Sequence, residues 1–353
     1  MAQRPRVHIE KASLETSGEA IQRTMDALSW KEIVKPNSKV VVKPNGCHVR
    51  YLPGLVTTPK LLGELVRILR TRASEVVVVE SDLQRFTADQ VFDGLGYTEE
   101  VEKAGGRCSN MTAEKQIEVE IPDGQFWKKR TMPDSLVNTD VFITMPVIKT
   151  HKLWLVTLGI KNNFGNVPEA DRVKYQRNLP QVVGDFNAFR PADLTIVDGI
   201  VGLEGDGPIA GIPKKMGIVV GGDNIVATDA SLCEIMAFNP LDSGLIRNVH
   251  ERGMGPVELD RIEFSGVPVK DVRNPYIGPP QDLISRSERW VRKHPKLANF
   301  IYRSWFFKIA KRSAWTVRGL YGYKSNYHKQ VMETGLWDGY DWENLMEVYT
   351  PIA

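Results

Sequence analysis

The densest polar chemistry in this chain lies in Lys149-Thr150-His151-Lys152, followed by Thr157 and then Lys161-Asn162-Asn163-Phe164-Gly165. Lys149 and Lys161 can hold an anion through their ammonium groups, and Asn162 can add an amide. His151 can exchange a proton near neutral pH. Thr150 and the backbone N–H groups after it can cap a helix that turns its positive end toward the same anion. These groups stand at both ends of the apolar span 153–160. A strand-to-helix turn with surface lysines would carry the same residues without any chemistry.

A second stretch runs Asp198-Gly199-Ile200-Val201-Gly202-Leu203-Glu204-Gly205-Asp206-Gly207-Pro208. Asp198 and Glu204 could bind Mg²⁺ or Ca²⁺ through oxygen, or act as a general base. Gly207 and its sister glycines let the backbone approach a ligand closely. A long glycine-rich turn after a strand is the plainer reading. No G-K-[ST] follows, and the spacing is not G-x-G-x-x-G. Cys47-His48 follows Lys43-Pro44-Asn45-Gly46 and could form a soft metal site with His151, although an isolated Cys-His pair is more often incidental. Asp223 and Asp229 flank the start of a helical stretch, 224–238. Asp229 is the better placed to face a site, and helix N-terminal stabilisation is its alternative role.

Elements must bring these groups together. Val40-Val41-Val42 runs into Lys43, Val76-Val77-Val78-Val79 into Glu80, Val141-Phe142-Ile143 through Pro146 into Lys149, and Leu194-Thr195-Ile196-Val197 into Asp198. Such runs, with little alternation, read as strands buried on both faces of a parallel sheet. In open α/β sheets ligands bind outside the carboxyl ends of the strands. Lys43, Glu80, Lys149 and Asp198 are therefore expected on one rim. Thr58 with Pro59 signals a helix start, and the helix should run to about Arg72. Segments 117–121 and 126–131 flank Pro122-Asp123-Gly124 as a hairpin. The run 140–149 reads as one strand with an irregularity at Pro146. Segment 199–211 reads as a glycine-rich loop, with strands following at 217–221 and 261–265. The expected fold is α/β: a mainly parallel open sheet with flanking helices and a small β-hairpin insertion. It spans residues 1–272, and a helical, basic, aromatic-rich extension occupies 273–353.

The 353 residues, 42% hydrophobic and 25% charged, suit a chain that buries a sizeable core. No apolar run approaches the roughly 18–20 residues of a membrane span. The first residues have no apolar signal core behind them, so the expected location is the cytoplasm. Three cysteines, Cys47, Cys108 and Cys233, stand far apart, so a disulfide framework or a cysteine-only iron–sulfur cluster is not expected. The net charge of +3 hides an asymmetry. Residues 286–324 hold eleven Lys/Arg against Glu288, a net +10, interleaved with aromatics from Trp290 to Tyr321. Such a segment could meet an anionic membrane surface, with the protein peripheral at the inner membrane. It could also pack on the acidic body or form a homodimer interface. No nucleic-acid motif accompanies the charge.

The series Lys43-Pro44-Asn45, Pro53-Gly54 with Thr57-Thr58, Lys149-Thr150-His151, Gly159-Ile160-Lys161-Asn162 with Gly165, Val197-Asp198-Gly199, Glu204-Gly205-Asp206-Gly207-Pro208 and Ala227-Thr228-Asp229-Ala230 resembles domain of unknown function 362. The resemblance spans about residues 39–265. It implies a shared polar site built from these positions and names no reaction. Members are often joined to ferredoxin-like iron–sulfur modules, whereas this chain has few cysteines and a basic aromatic tail.

Together these residues suggest an enzyme acting on a carboxylate- or phosphate-bearing small molecule by acid–base chemistry. Lys149 and Lys161 would hold the anion, and Lys43 and Asn45 would orient it. Thr150, Asn162, Gly207 and Asp229 would line the site. His151 would move the proton, and Asp198 and Glu204 would serve as base or metal ligands. Isomerase, lyase and hydrolase chemistry all fit. One alternative is a redox or divalent-metal enzyme at a His/carboxylate rim. Another is a noncatalytic ligand-binding or membrane-associated scaffold.

Overall fold

A computed structural model describes residues 4–279 together with Trp290 and Val291. The basic segment 286–324 therefore lies outside the described residues apart from those two positions.

Twelve strands follow one another among the described residues. They are β1 (Arg6–Lys11), β2 (Lys39–Pro44), β3 (Glu75–Glu80), β4 (Arg107–Asn110), β5 (Gln116–Glu120), β6 (Lys129–Pro133), β7 (Val141–Met145), β8 (Val147–His151), β9 (Leu155–Thr157), β10 (Leu194–Asp206), β11 (Ala210–Gly222) and β12 (Glu263–Gly266). Ten of them form one sheet in the order β12-β1-β11-β10-β7-β2-β3-β4, with β8 and β9 added beyond β10. Its centre is parallel: β4, β3, β2, β7 and β10 all run the same way. The antiparallel parts are the β10–β11–β1 flank and the β8–β9 pair. β5 and β6 form the separate small hairpin.

The valine runs explain why the centre is parallel. Val40, Val42, Val76, Val78, Ile143 and Ile196 face one core, while Val41, Val77, Val79, Phe142 and Val197 face the other. Successive strand residues point to opposite faces, so an unbroken apolar run fills two layers. Each fully buried Val, Leu or Ile side chain contributes roughly 1.5–3 kcal/mol. The helices Ser17–Ala27 and Pro59–Arg70 close one face, the latter through Leu61, Leu62, Leu65, Val66 and Leu69. The helices Leu179–Phe189, Ile225–Ile235 and Gly244–Glu251 close the other.

The structure corrects several boundaries. The expected glycine-rich loop at 199–211 is not a loop. β10 and β11 pair over thirteen residues each, and the chain turns only at positions 207–209. Glycine permits close approach here: a Cβ on Gly202 would lie 1.9 Å from the Tyr276 hydroxyl and 2.8 Å from the Ile148 carbonyl. The pairing shifts register between Gly199/Ile218 and Val201/Lys215, which leaves an extra residue on β11. Gly217 sits there with φ +65°, the left-handed conformation of a bulge glycine.

The run 140–149 is two strands, broken at Pro146, whose carbonyl accepts the Asp198 N–H at 2.9 Å. The second hairpin strand begins at Lys129 rather than 126. The amides of Gln125, Phe126 and Trp127 are drawn instead to the Asp185 carboxylate at 2.7–2.8 Å. Thr150 caps no helix. β8 turns back antiparallel into β9, and the next helix is the short Gly159–Asn162. Thr58 does precede the helix Pro59–Arg70, yet its side chain makes no cap bond.

Candidate functional site

The parallel strands carry Lys43, Glu80 and Lys149 toward the carboxyl rim, and the loop 45–58 folds over them. That loop is closed by Asn45 and Thr57. Thr57 N donates to Asn45 O at 3.0 Å, Asn45 N to Thr57 Oγ1 at 2.8 Å, and Thr57 Oγ1 to Met145 O at 2.8 Å. The Tyr97 hydroxyl donates to Thr57 O at 2.6 Å. Gly54 allows the loop to press on β10, since its φ is +81° and a Cβ would lie 2.4 Å from Gly202 O.

Lys43, Asn45, Lys149 and Asn162 form one buried chain of hydrogen bonds. Lys149, fully buried, donates to Asn45 Oδ1 at 2.8 Å, to Leu55 O at 2.6 Å and to Cys47 Sγ at 3.5 Å. An ammonium has three donors, so this one is spent entirely on protein. Asn45 Nδ2 donates to Asn162 Oδ1 at 3.0 Å. Asn162 Nδ2 donates to Lys43 O at 3.1 Å and to Thr144 Oγ1 at 3.0 Å. Lys43 forms a buried ion pair with Glu80 and also donates to Pro44 O at 2.6 Å. Burial holds both lysines below the usual range, opposed at Lys43 by Glu80 and at Lys149 by Cys47.

Lys161 differs from both. Among the described residues it makes no hydrogen bond or ion pair, and its ammonium lies 4.9 Å from the Phe164 ring centroid. It keeps some accessible surface, yet desolvation is the largest influence on it. Arg172 and Lys149 add to that effect, and the pKa falls to about 7. Arg172 is buried and lies 6.0 Å from the same ring centroid. It donates to Ser81 Oγ and Asp82 O, each at 2.8 Å, and more weakly to Val167 O and Glu169 O, all neutral acceptors. Close by in sequence, Thr157 Oγ1, Asn163 Oδ1 and both amide atoms of the fully buried Asn166 have no hydrogen-bond partner among the described residues.

Asp229 lies behind this site. Its two oxygens accept the Gly159 N–H at 2.8 Å and the Ile160 N–H at 2.9 Å, so it anchors the helix that carries Lys161. Burial raises its pKa to about 7 against those two bonds. Asp198, also raised by burial, accepts Thr58 N at 2.8 Å and Ile200 N at 3.2 Å. His151 is buried, and strand alternation puts it on the face of β8 that carries Lys149. Its Nδ1 accepts Leu153 N at 3.0 Å.

Glu204 sits farther along β10, where its Oε2 accepts Lys214 Nζ and Ile277 N, each at 2.9 Å. Thr150 and Gly207 meet in that same region. Thr150 Oγ1 donates to Gly205 O at 2.9 Å, and a Cβ on Gly207 would lie 2.1 Å from Thr150 O. Thus Lys43, Asn45, Lys149, Lys161 and Asn162 converge with Glu80 and Arg172. Glu204, Thr150 and Gly207 form a neighbouring cluster on the β10 extension.

Sequence reading did not single out Arg172 or Asn166. Arg172 sits in a polar one-turn stretch without a motif, and its partners Ser81 and Asp82 are distant in the chain. Asn166 lies one residue past the Lys161-to-Gly165 stretch, a proximity that could have drawn it in.

Among the described residues no group of three or more His, Cys, Asp or Glu side chains is placed to hold a metal ion. The suggested Cys47–His48–His151 set is divided. Cys47 faces Lys149, while His48 Nδ1 accepts Arg50 N and its ring stands edge-on to Phe86. A cavity of about 860 Å³ opens at the opposite, amino-terminal edge of the sheet, beside Arg6, Asp193, Asp223 and Arg252. Its arginines are already paired, Arg6 with Asp223 and Arg252 with Asp185. No described helix is long and apolar enough to cross a membrane.

A thylakoid-associated protein of Synechocystis is 24% identical over 245 residues, which covers 64% of this chain and 72% of that protein. The lactate racemase apoprotein of Thermoanaerobacterium thermosaccharolyticum aligns with a TM-score of 0.41 at 11% identity, covering 80% of this chain and 88% of that one. Residues 40–234 match the family described as domain of unknown function (DUF362). That match takes in more than half of the chain and every residue of the cationic rim, and the chain belongs to this family.

Proposed function

We propose that this protein is an enzyme whose rim binds an anionic small molecule and processes it by acid–base chemistry. The observation that carries this reading is the charge balance around Lys161. Arg172, Lys149 and Lys43 stand near it, Lys161 has no hydrogen-bond or ion-pair partner among the described residues, and Arg172 hydrogen-bonds only neutral acceptors while Glu80, Asp82 and Glu169 act on it through space. Leaving a desolvated charge uncompensated costs several kcal/mol, so the arrangement favours an incoming anion. Arg172 supplies a permanent charge. Lys149, with its donors spent, contributes field rather than a direct bond. Lys161, poised near neutral pH, and His151 are the proton-transfer groups. The test is thermal unfolding with sodium pyruvate or sodium phosphate against sodium chloride at equal ionic strength. A saturable rise in melting temperature is expected for the wild type and should vanish in Lys161→Ala. No saturable rise with either anion would reject the reading.

A second reading concerns location. The +10 charge of residues 286–324, interleaved with aromatics, suits attachment to an anionic membrane surface. A relative described as thylakoid-associated favours the same idea. Flotation with anionic but not neutral liposomes, weakened by salt, is the expected result. Equal flotation with both lipid types would sink it.

A further inference from the structure

Among the described residues, Lys161 is the amine of this rim that is neither paired nor hydrogen-bonded. Lys43 is committed to Glu80 and Pro44 O, and Lys149 to Asn45, Cys47 and Leu55. Lys161 Nζ and Arg172 Cζ lie 4.9 and 6.0 Å from one Phe164 ring centroid, so an amine and a fixed cation flank the same aromatic ring. The short helix Gly159–Asn162 holds that amine in place through Asp229, and the Asn162–Asn45 bond locks the helix to β2. The partnerless amide of Asn166 and hydroxyl of Thr157 add polar capacity near the same segment.

We propose that Lys161 captures 2-oxo acids as an imine. A lysine becomes a nucleophile when desolvated beside other cations, and both conditions hold here. A compact ligand that puts an anion next to an electrophilic carbon would satisfy Arg172 and Lys161 together. In a 2-oxo acid the carboxylate and the carbonyl are on adjacent carbons. The Lys161 Nζ lone pair attacks the carbonyl carbon and forms the C–N bond. The carbonyl π pair moves to oxygen, which takes one proton from the attacking nitrogen and a second from solvent, and leaves as water when the C–O bond breaks. The nitrogen retains one hydrogen and becomes an iminium. No oxidant or reductant is consumed. The resulting cation would acidify the neighbouring carbon, the site at which His151 could move a proton. The fall of the Lys161 pKa to about 7 is consistent with a neutral amine at working pH.

This inference rests on the anion-binding reading above, and the experiment separates the two. The full chain is incubated with pyruvate and sodium cyanoborohydride, then digested and mapped by mass spectrometry. One reduced pyruvate adduct on Lys161 is expected, forming faster as pH rises through about 7. In Lys161→Arg the adduct should be absent, while phosphate and pyruvate still raise the melting temperature. Anion stabilisation without an adduct on Lys161, or adducts spread evenly over surface lysines, would overturn imine capture and leave anion binding standing. Absence of both effects in the wild type would reject both.

Discussion

Lys149 Nζ donates to Asn45 Oδ1 at 2.8 Å, joining a strand end to a loop 104 residues earlier in the chain. Through Asn45 Nδ2 and Asn162 the same bond reaches the helix that carries Lys161. Three separated motifs are thus one hydrogen-bonded object. Low dielectric makes such a network rigid when it is complete and costly when it is not.

Asn45→Ala would leave one Lys149 donor and Asn162 Oδ1 without partners. An unsatisfied buried group costs about 1–3 kcal/mol. The expected loss of stability is therefore roughly 2–5 kcal/mol in urea unfolding, since two groups are orphaned. Anion-dependent stabilisation should fall in parallel. A variant within about 0.5 kcal/mol of wild type, the range of ordinary surface changes, would show that the network is not a unit.

Glu80→Gln breaks the buried pair with Lys43. Removing one member of such a pair costs about 3–5 kcal/mol because the other charge is stranded. The variant should unfold at lower denaturant, and it should lean more heavily on added phosphate for stability. Equal dependence on phosphate in both proteins would show that Glu80 does not tune the rim.

Asp229→Asn tests the anchoring role. An amide oxygen can accept from one of the Gly159 and Ile160 N–H groups, while its NH₂ confronts the other. Stability should drop by about 1–3 kcal/mol. Pyruvate binding measured by calorimetry should weaken as the Lys161 helix loosens. Unchanged affinity in a destabilised protein would confine Asp229 to a folding role.

Stability should rise with pH above neutrality. Lys161 has a folded pKa of about 7, whereas a free lysine titrates near about 10.4. Between those values the unfolded chain binds more protons, so the unfolding free energy increases with pH. Lys43 and Lys149 shift in the same direction. Asp229, raised to about 7, works oppositely, with stability lost as pH climbs from about 4 to about 7. Urea midpoints at several pH values should climb less steeply in Lys161→Met than in wild type. Parallel curves would mean that Lys161 is not desolvated.

The parallel sheet was legible in the valine runs, because burial on two faces leaves an unbroken apolar signature in β2 and β3. Convergence of Lys43, Asn45 and Lys149 followed from the strand ends alone. Segment 199–211 was misread because glycine is depleted in strands. Here, however, absent side chains make room for Tyr276 and the Ile148 carbonyl. Asp229 read as a site residue because the donors to its carboxylate are backbone amides, which carry no sequence signal. Arg172 escaped because three of its four bonds go to main-chain carbonyls, of Asp82, Val167 and Glu169.

The bulge at Gly217 acts as a phase-setter for the sheet's far end. Upstream of it Gly199 faces Ile218, and beyond it Val201 faces Lys215. Side chains alternate with a period of two, so a single-residue slip exchanges the two faces of a strand. Excising Gly217 would let β10 and β11 run in one uninterrupted register. Gly202 would still face Lys214 and Glu204 would still face Ile212, but the local bend and extra twist that a bulge adds would be lost. One left-handed torsion thereby sets the angle at which the Glu204–Lys214 half of the hairpin leaves the sheet.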